Sequence, residues 1–192
     1  MSEVLSVVFP VIVSKNEMKN ELSEVKDYNV RGYNEKRRLE AGIIILSNDF
    51  HRILLVRGRI SRKYGPPKGG KFDNEDLLST ALRECKEETG YEFAENDLLS
   101  HKSGNKFYMM ISKILFYVVV LKHPDNYFIF KTQDKSEIMS VEWHELKVIC
   151  NEIDSCKFVS KYNSPLRHLF ALDSRTNKSK LSLILEAINY TK

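Results

Sequence analysis

Apolar residues change their spacing along the chain, and each change predicts an element. Gly42–Leu46 and Ile53–Gly58 are short β-branched runs around Asn48 and Asp49, the pattern of a hairpin. Lys113–Leu121 is dense in Val, Ile and aromatic residues and reads as a central strand, with shorter strands at Tyr127–Lys131 and Met139–Trp143. Between these lies a helical stripe, Leu78, Ala81, Leu82, Cys85 and Thr89, capped by Asp73 or Asn74 and stopped by Gly90. Leu181, Ile184, Leu185 and Ile188 predict a second helix over Ser179–Tyr190, packed on the sheet. Glu145–Cys156 reads as a helix or a turn. Val4–Val13 reads as a strand ended near Pro10, Ser14–Arg38 as a loop or weak helix, and Ser61–Gly70, with two prolines and three glycines, as a loop. Strands, helix, strands, helix is the order of an α/β/α sandwich around a mixed β-sheet. The expectation is one domain over residues 1–192, with 1–38 an N-terminal extension and 157–192 a basic, helical C-terminal segment.

Composition fits that picture. The 192 residues are 42% hydrophobic and 29% charged, as in a globular domain with a sizeable core. No apolar run is long enough for a membrane span, and Val4–Val13 follows an acidic start, unlike a signal peptide. Cys85, Cys150 and Cys156 have neither metal-ligand nor disulfide spacing, so a reducing, cytoplasmic setting is expected. The net charge of +4 is unevenly spread. Arg52, Arg57, Arg59, Arg62, Lys63 and Lys68 form a run without an acidic residue, and the chain beyond Lys157 is also basic, whereas Gly69–Leu99 between them is acidic. Basic flanks around an acidic centre suit a polyanionic substrate held partly through a cation; ordinary solvated surface charge is the alternative.

The acidic centre carries the chemistry. Glu84, Glu87 and Glu88 stand at i, i+3 and i+4, on one helix face. Like charges so placed repel unless a cation holds them, and hard divalent cations take oxygen ligands while also holding phosphates. Without such a cation, the same spacing is a solvated acidic face. Gly69, Glu75, Arg83, Glu84, Glu87, Glu88 and Gly90 together resemble the Nudix hydrolase signature, G-x5-E-x7-R-E-U-x-E-E-x-G-U. Every glycine and polar position is filled, while Cys85 and Tyr91 stand at aliphatic positions. The resemblance implies a Nudix-type α/β/α sandwich. It also implies Mg2+ or Mn2+ bound by Glu84, Glu87, Glu88 and the Gly69 carbonyl, with Glu75 and Arg83 orienting the ligands. Lys68, beside the metal loop, is then a candidate phosphate contact or a plain loop lysine. Arg57, Arg59, Arg62 and Lys63 are candidates for further substrate binding.

A narrower resemblance flanks this box. Ile53-Leu54-Leu55-Val56-Arg57-Gly58, Tyr64-Gly65-Pro66-Pro67-Lys68-Gly69 and Glu137-Ile138-Met139-Ser140-Val141-Glu142-Trp143 are similar to segments of the eukaryotic mRNA-decapping subfamily. The residue matching Glu137 is a general base there; otherwise Glu137 reads as an exposed residue before a strand. Tyr64 and Pro66 replace the subfamily's Trp and Phe, and Pro66-Pro67-Lys68-Gly69 equally resembles the asymmetric diadenosine tetraphosphate hydrolases. The segment before Glu40 is short for the subfamily's helical regulatory domain, as in decapping enzymes of large DNA viruses. Tyr33, Phe107, Tyr108 and Tyr127 are then candidates for stacking on the cap base. The expected activity is decapping of capped RNA, with Glu137, Glu88 and Glu84 catalytic and Lys157–Lys180 along the RNA. Hydrolysis of dinucleoside or diphosphoinositol polyphosphates, and RNA binding without catalysis, are the rival readings.

Overall fold

The near-unbroken apolar run that starts at Ala41 forms a strand covered on both faces. In a computed structural model that describes residues 39–100, 106–121, 129–153, 158–174 and 176–191, β1 is Glu40–Leu46 and every residue from Ala41 to Leu46 is buried. β2, Arg52–Gly58, returns antiparallel with Ile45 opposite Leu54 and Leu46 opposite Ile53, so the hairpin forms where the β-branched runs place it. β3 (Tyr64–Gly65) pairs with β2, and β4 (Lys68–Gly70) pairs with β1. The expected loop over Ser61–Gly70 is corrected by these two strands. They are too short to show a period, and partners distant in sequence define them.

Helix α1, Leu77–Thr89, follows. It begins later than expected: Asp73 and Asn74 lie in a turn, and Asp76 is the cap, accepting from the Ser79 N–H at 2.7 Å. β5 (Tyr108–Ile111) and β6 (Ile114–Val120) form an antiparallel pair, and β6 runs parallel to β1, with Ile43 opposite Tyr117. β7, Ile138–Glu145, pairs with β2 along its whole length and is longer than the expected Met139–Trp143. The result is a seven-stranded mixed sheet. The chain ends in α2 (Leu146–Ile153), α3 (Phe158–Lys161), α4 (Ser164–Phe170) and α5 (Lys180–Thr191).

Strand alternation sorts the core into two layers. Ala41, Ile43 and Ile45 face α1, where Ala81 and Cys85 are fully buried and Leu78 and Leu82 pack alongside. Ile44 and Leu46 face the other way, onto Leu146 and Ile149 of α2, Leu166, Leu169 and Phe170 of α4, and Leu181, Ile184 and Ile188 of α5. This is the expected α/β/α sandwich. Each large apolar side chain so buried contributes about 1.5–3 kcal/mol before the entropy of ordering it is subtracted.

The helix-or-turn alternative at Glu145–Cys156 is settled as helix over the described Leu146–Ile153. The predicted C-terminal helix stands one residue along, at Lys180–Thr191. The expected strand at Tyr127–Lys131 is corrected, because residues 129–131 form no strand and Lys131 N–H donates instead to Thr89 O at 2.8 Å. The expectations for Val4–Val13 and Ser14–Arg38, and for residues 127, 128 and 154–157, fall outside the described residues. β5, α3 and α4 escaped the sequence reading. The Asn163 cap and Pro165 just inside α4 are signals that mark its start.

The cap assignment predicts that Asp76→Ala destabilises the fold by about 0.5–2 kcal/mol in urea denaturation. Asp73→Ala and Asn74→Ala should leave the midpoint near that of the parent. Equal losses at all three positions would contradict it.

Candidate active site

The site forms where β4 crosses the face of α1. β4 lies against β1 with Gly69 opposite Ala41, and this pairing presents the 68–70 backbone to the helix. Glu84 packs on Gly69: a Cβ there would stand 2.1–2.3 Å from the Glu84 carboxylate atoms, so a larger residue would displace that carboxylate. Glu88, one turn on, is 9% exposed, and its Oε2 accepts the Lys68 N–H at 2.8 Å.

Arg83 holds the acids in register. Its Nε donates to Glu75 Oε1 at 2.6 Å, and Nη2 donates to Glu75 Oε2 at 3.1 Å and Gly70 O at 3.0 Å. Nη1 donates to Glu84 Oε1 at 2.8 Å and Glu87 Oε2 at 3.0 Å. These five bonds match the five N–H donors of a guanidinium, and the group is stacked on the Phe72 ring at 4.2 Å. Glu75 also accepts from Thr80 Oγ1 and the Phe72 N–H. Hydrogen bonding to Arg83 holds Glu75 down at about 2, and the bond to Glu75 in turn raises Arg83.

The remaining acids lack such compensation. Burial pushes Glu88 up to about 8, against the Lys68 N–H, with the charges of Glu84 and Glu137 adding to the rise. Burial also raises Glu84, against the pull of Arg83, with Glu87 and Glu137 adding to it. Glu137 lies on the loop before β7, which docks on the end of α1. Gln133 N–H and Asp134 N–H donate to Glu87 O, at 2.9 and 3.1 Å, and Thr132 Oγ1 donates there at 3.3 Å. Gly90, in the left-handed region at φ 73°, permits the approach, since a Cβ there would stand 2.0 Å from Lys131 O.

Two residues missed in the sequence organise this site. Asp134 Oδ1 accepts from Ser136 N–H (2.8 Å), Ser136 Oγ (2.5 Å) and Glu137 N–H (3.1 Å), forming the turn that carries Glu137. The Asp-x-Ser spacing is the signal that marks such a turn. Glu40 pairs with Lys68 Nζ at 2.5 Å, and no local signal connects residues that far apart.

The basic candidates are dispersed. Arg59 N–H donates to Glu137 O at 2.7 Å and its Nε to Lys135 O at 2.8 Å, while Arg62 Nη1 reaches Met139 Sδ at 2.9 Å, so both flank Glu137. Arg57 lies over the Tyr64 ring instead, and Lys63 is partly buried in the same turn. In the C-terminal segment Lys161 pairs with Glu152 and Lys178 with Glu186, and Lys180 Nζ donates to Met110 O; Lys157 is outside the described residues. Of the proposed stacking aromatics, Tyr108 is built into β5 against Tyr117 and Phe107 packs on the core, while Tyr33 and Tyr127 are outside the described residues.

Among the described residues, no three His, Cys, Asp or Glu side chains converge to hold a metal ion as they stand, because one Arg83 nitrogen takes oxygens of both Glu84 and Glu87. The donor set nevertheless fits a hard divalent cation. It is all oxygen, and the charge of buried Glu88 is uncompensated by any side-chain ion pair among the described residues. Glu84, Glu87, Glu88 and Gly69 O are the residues that would hold it.

A mixed sheet between helical layers, with an acidic helix face set against a glycine-bearing strand, defines an α/β sandwich domain. The model of the NUDIX domain family matches residues 36–162, and the chain belongs to that family, whose hydrolases generally use divalent metal ions. The chain is 31% identical over 105 residues to mRNA-decapping enzyme subunit 2 of Arabidopsis thaliana, a match covering 55% of this chain and 27% of that one. It is 29% identical over 109 residues to the m7GpppN-mRNA hydrolase of Saccharomyces cerevisiae, covering 56% and 11%. The chain thus spans only a small part of the length of these curated relatives. Among solved structures, it is similar to a Caenorhabditis elegans Ap4A hydrolase (TM-score 0.44, 21% identity, 64% of this chain and 90% of that one). It is also similar to a UDP-X diphosphatase (TM-score 0.47, 17% identity, 91% and 72%). No helix among the described residues is long and apolar enough to cross a membrane.

Two outcomes follow from this geometry. Glu75, lowered in the folded state, contributes stability above its ordinary 4.5 that is lost as pH falls toward 2; Glu88, raised, contributes stability below 4.5 that is lost as pH rises through about 8. In metal-free protein, urea midpoints should fall on both sides. Glu75→Gln should flatten the acid limb, and Mg2+ should raise the midpoint more at pH 8 than at pH 5. An unchanged acid limb in Glu75→Gln would contradict the Arg83 account. Separately, Asp134→Ala should lower kcat on any accepted phosphoanhydride by about tenfold or more through misplacement of Glu137, with partial rescue in Asp134→Asn. A kcat equal to the parent would remove Asp134 from the site.

Proposed function

We propose that this chain is a Mg2+- or Mn2+-dependent pyrophosphohydrolase that removes the 5′ cap from RNA in the cytoplasm, releasing m7GDP and 5′-monophosphate RNA. The observation that carries the reading is the acidic face of α1, where Glu84 and Glu87 are held by Arg83 and buried Glu88 accepts from the β4 backbone, with the loop that carries Glu137 docked on the end of the same helix through bonds to Glu87 O. A hydrolase needs a base beside its metal-ligating acids, and the similarity to decapping enzymes supports capped RNA as the substrate.

In this reading, Glu84, Glu87, Glu88 and Gly69 O hold the metal, and Arg83 with Glu75 keeps Glu84 and Glu87 oriented. When bound, the cation offsets charge on the phosphates and makes deprotonation of the attacking water easier. Glu137 takes that water's proton. The water oxygen bonds to phosphorus as the anhydride bond between m7GDP and the RNA 5′-phosphate breaks, and the bond's electron pair leaves with the departing phosphate. Lys68, held by Glu40, stands at the edge of the loop where it can turn to a phosphate. Burial of Glu88 keeps bulk water from its carboxylate.

The test offers cap-labelled RNA, free cap dinucleotide, diadenosine tetraphosphate and a diphosphoinositol phosphate to parent and variants. Capped RNA should have the highest kcat/KM. Glu137→Gln should lower kcat by about 10²-fold or more with metal affinity nearly unchanged, and Glu88→Gln should abolish turnover. A higher kcat/KM on diadenosine tetraphosphate or the inositol substrate would replace decapping with small-molecule hydrolysis. RNA binding without any turnover would leave a non-catalytic binding protein, and full activity in Glu137→Gln would remove the base.

A further inference from the structure

We propose that a cleft beside Glu137, floored by Phe130, Met139 and Val141 and rimmed by Arg59, Lys131 and Lys135, is a nucleotide subsite: it seats one base and binds the phosphate next to it. The inference rests on the phosphoanhydride reading above and adds where the substrate lies.

The cleft is open and encloses about 300 Å³, at the lower end of the range for small-molecule sites and enough for one nucleoside rather than a length of chain. Its two kinds of lining separate by chemistry. The floor is apolar and flat-faced. Phe130 is braced edge-to-face on Trp143 at 5.8 Å, and Met139, left without a partner at the bulge between Ile138 and Ser140 of β7, is 42% exposed, with Arg62 Nη1 on its Sδ. An aromatic ring and a polarisable thioether accept the face of any base. The rim is cationic. Among the described residues no carboxylate pairs with Arg59, Lys131 or Lys135, although the acidic cluster lies on the neighbouring helix. Three cations without a carboxylate partner among the described residues, beside apolar side chains, are complementary to a group that is planar at one end and anionic at the other.

The position of the cleft relative to the reacting centre follows from the same loop. Lys131, Thr132 and Lys135 line it, and the bonds of Thr132, Gln133 and Asp134 to Glu87 O tie that loop to α1. Arg59 joins the rim through its bonds to Lys135 O and Glu137 O. A phosphate on this rim is therefore next to the Glu137 backbone. The base belongs either to the cap or to the first nucleotide of the RNA, and the chemistry of the cleft is shared by both.

The experiment uses the full chain, the double variant Lys131→Glu/Lys135→Glu and, separately, Met139→Asp, all at exposed positions. Binding of m7GDP and of a 5′-monophosphate dinucleotide is measured by titration calorimetry in saturating Mg2+ over a salt series, alongside kcat and KM on capped RNA. The double variant should weaken binding of one or both nucleotides by about tenfold or more and reduce the salt slope by about one for each phosphate contact removed. Met139→Asp should weaken the same ligand with its salt slope kept. KM should rise more than kcat falls. A loss confined to m7GDP places the cap base in the cleft, and one confined to the dinucleotide places the first RNA base there. Binding of both ligands within twofold of the parent in both variants, or no nucleotide binding by the parent, overturns the subsite. Capped-RNA turnover is scored independently: normal turnover with unchanged binding rejects the subsite and keeps the decapping reading. Weakened nucleotide binding in a protein that leaves capped RNA intact does the reverse.

Discussion

One guanidinium orders the acidic face on which the site is built. Arg83 directs its donors to Glu75, Glu84, Glu87 and Gly70 O, and so ties the middle of α1 to its own entry turn and to β4. Without that charge, three carboxylates on one helix face would repel one another in a partly dry layer. The cost of bringing them together falls unequally. Glu75, fully bonded, is an easily ionised acid, whereas Glu88, out of reach of Arg83, resists ionisation because it is buried. An arrangement that leaves one buried carboxylate electrically short is well matched to a cation ligand, and poorly explained as a device for stability alone.

The second constraint is close packing at two glycines. Gly69 lets the Glu84 carboxylate rest against β4, and Gly90 lets the 131 backbone rest against the end of α1. The first brings the acids of α1 to the β4 backbone. The second brings Glu137 to those acids, through a turn that Asp134 holds with three hydrogen bonds. The same turn carries the cations that rim the neighbouring cleft. A single docked loop thus brings Glu137, Lys131 and Lys135 to the end of the acidic helix.

Much of this was legible from local pattern. The hairpin, α1, the central strand and the final helix all announce themselves through periodic apolar residues long enough to show a period. The signature acids were readable because they are neighbours on one helix, so spacing in sequence is spacing in space. The helix start was misread at Asp73 and Asn74 because several residues competent to cap stand together, and the choice of Asp76 depends on which one reaches Ser79. β3 and β4 were invisible because strands of two or three residues have no alternation to detect. Residues 129–131 carry strand-forming side chains, yet their backbone bonds to a helix end instead of a sheet.

The sequence by itself determined the family resemblance, the layered α/β class and the acids of α1, because those properties reside in residues within a turn or two of one another. Tertiary structure alone decided how Glu137 and Asp134 reach α1, that Glu40 takes the Lys68 ammonium, and that the basic run divides between Tyr64 and the Glu137 turn. It also decided that Lys161 pairs with Glu152, Lys178 with Glu186, and that Lys180 donates to Met110 O. The physical reason is that the contacts of Glu40, Asp134 and Arg59 join segments separated by a strand or a helix, and their geometry is fixed by how those packed elements meet, which no local period records.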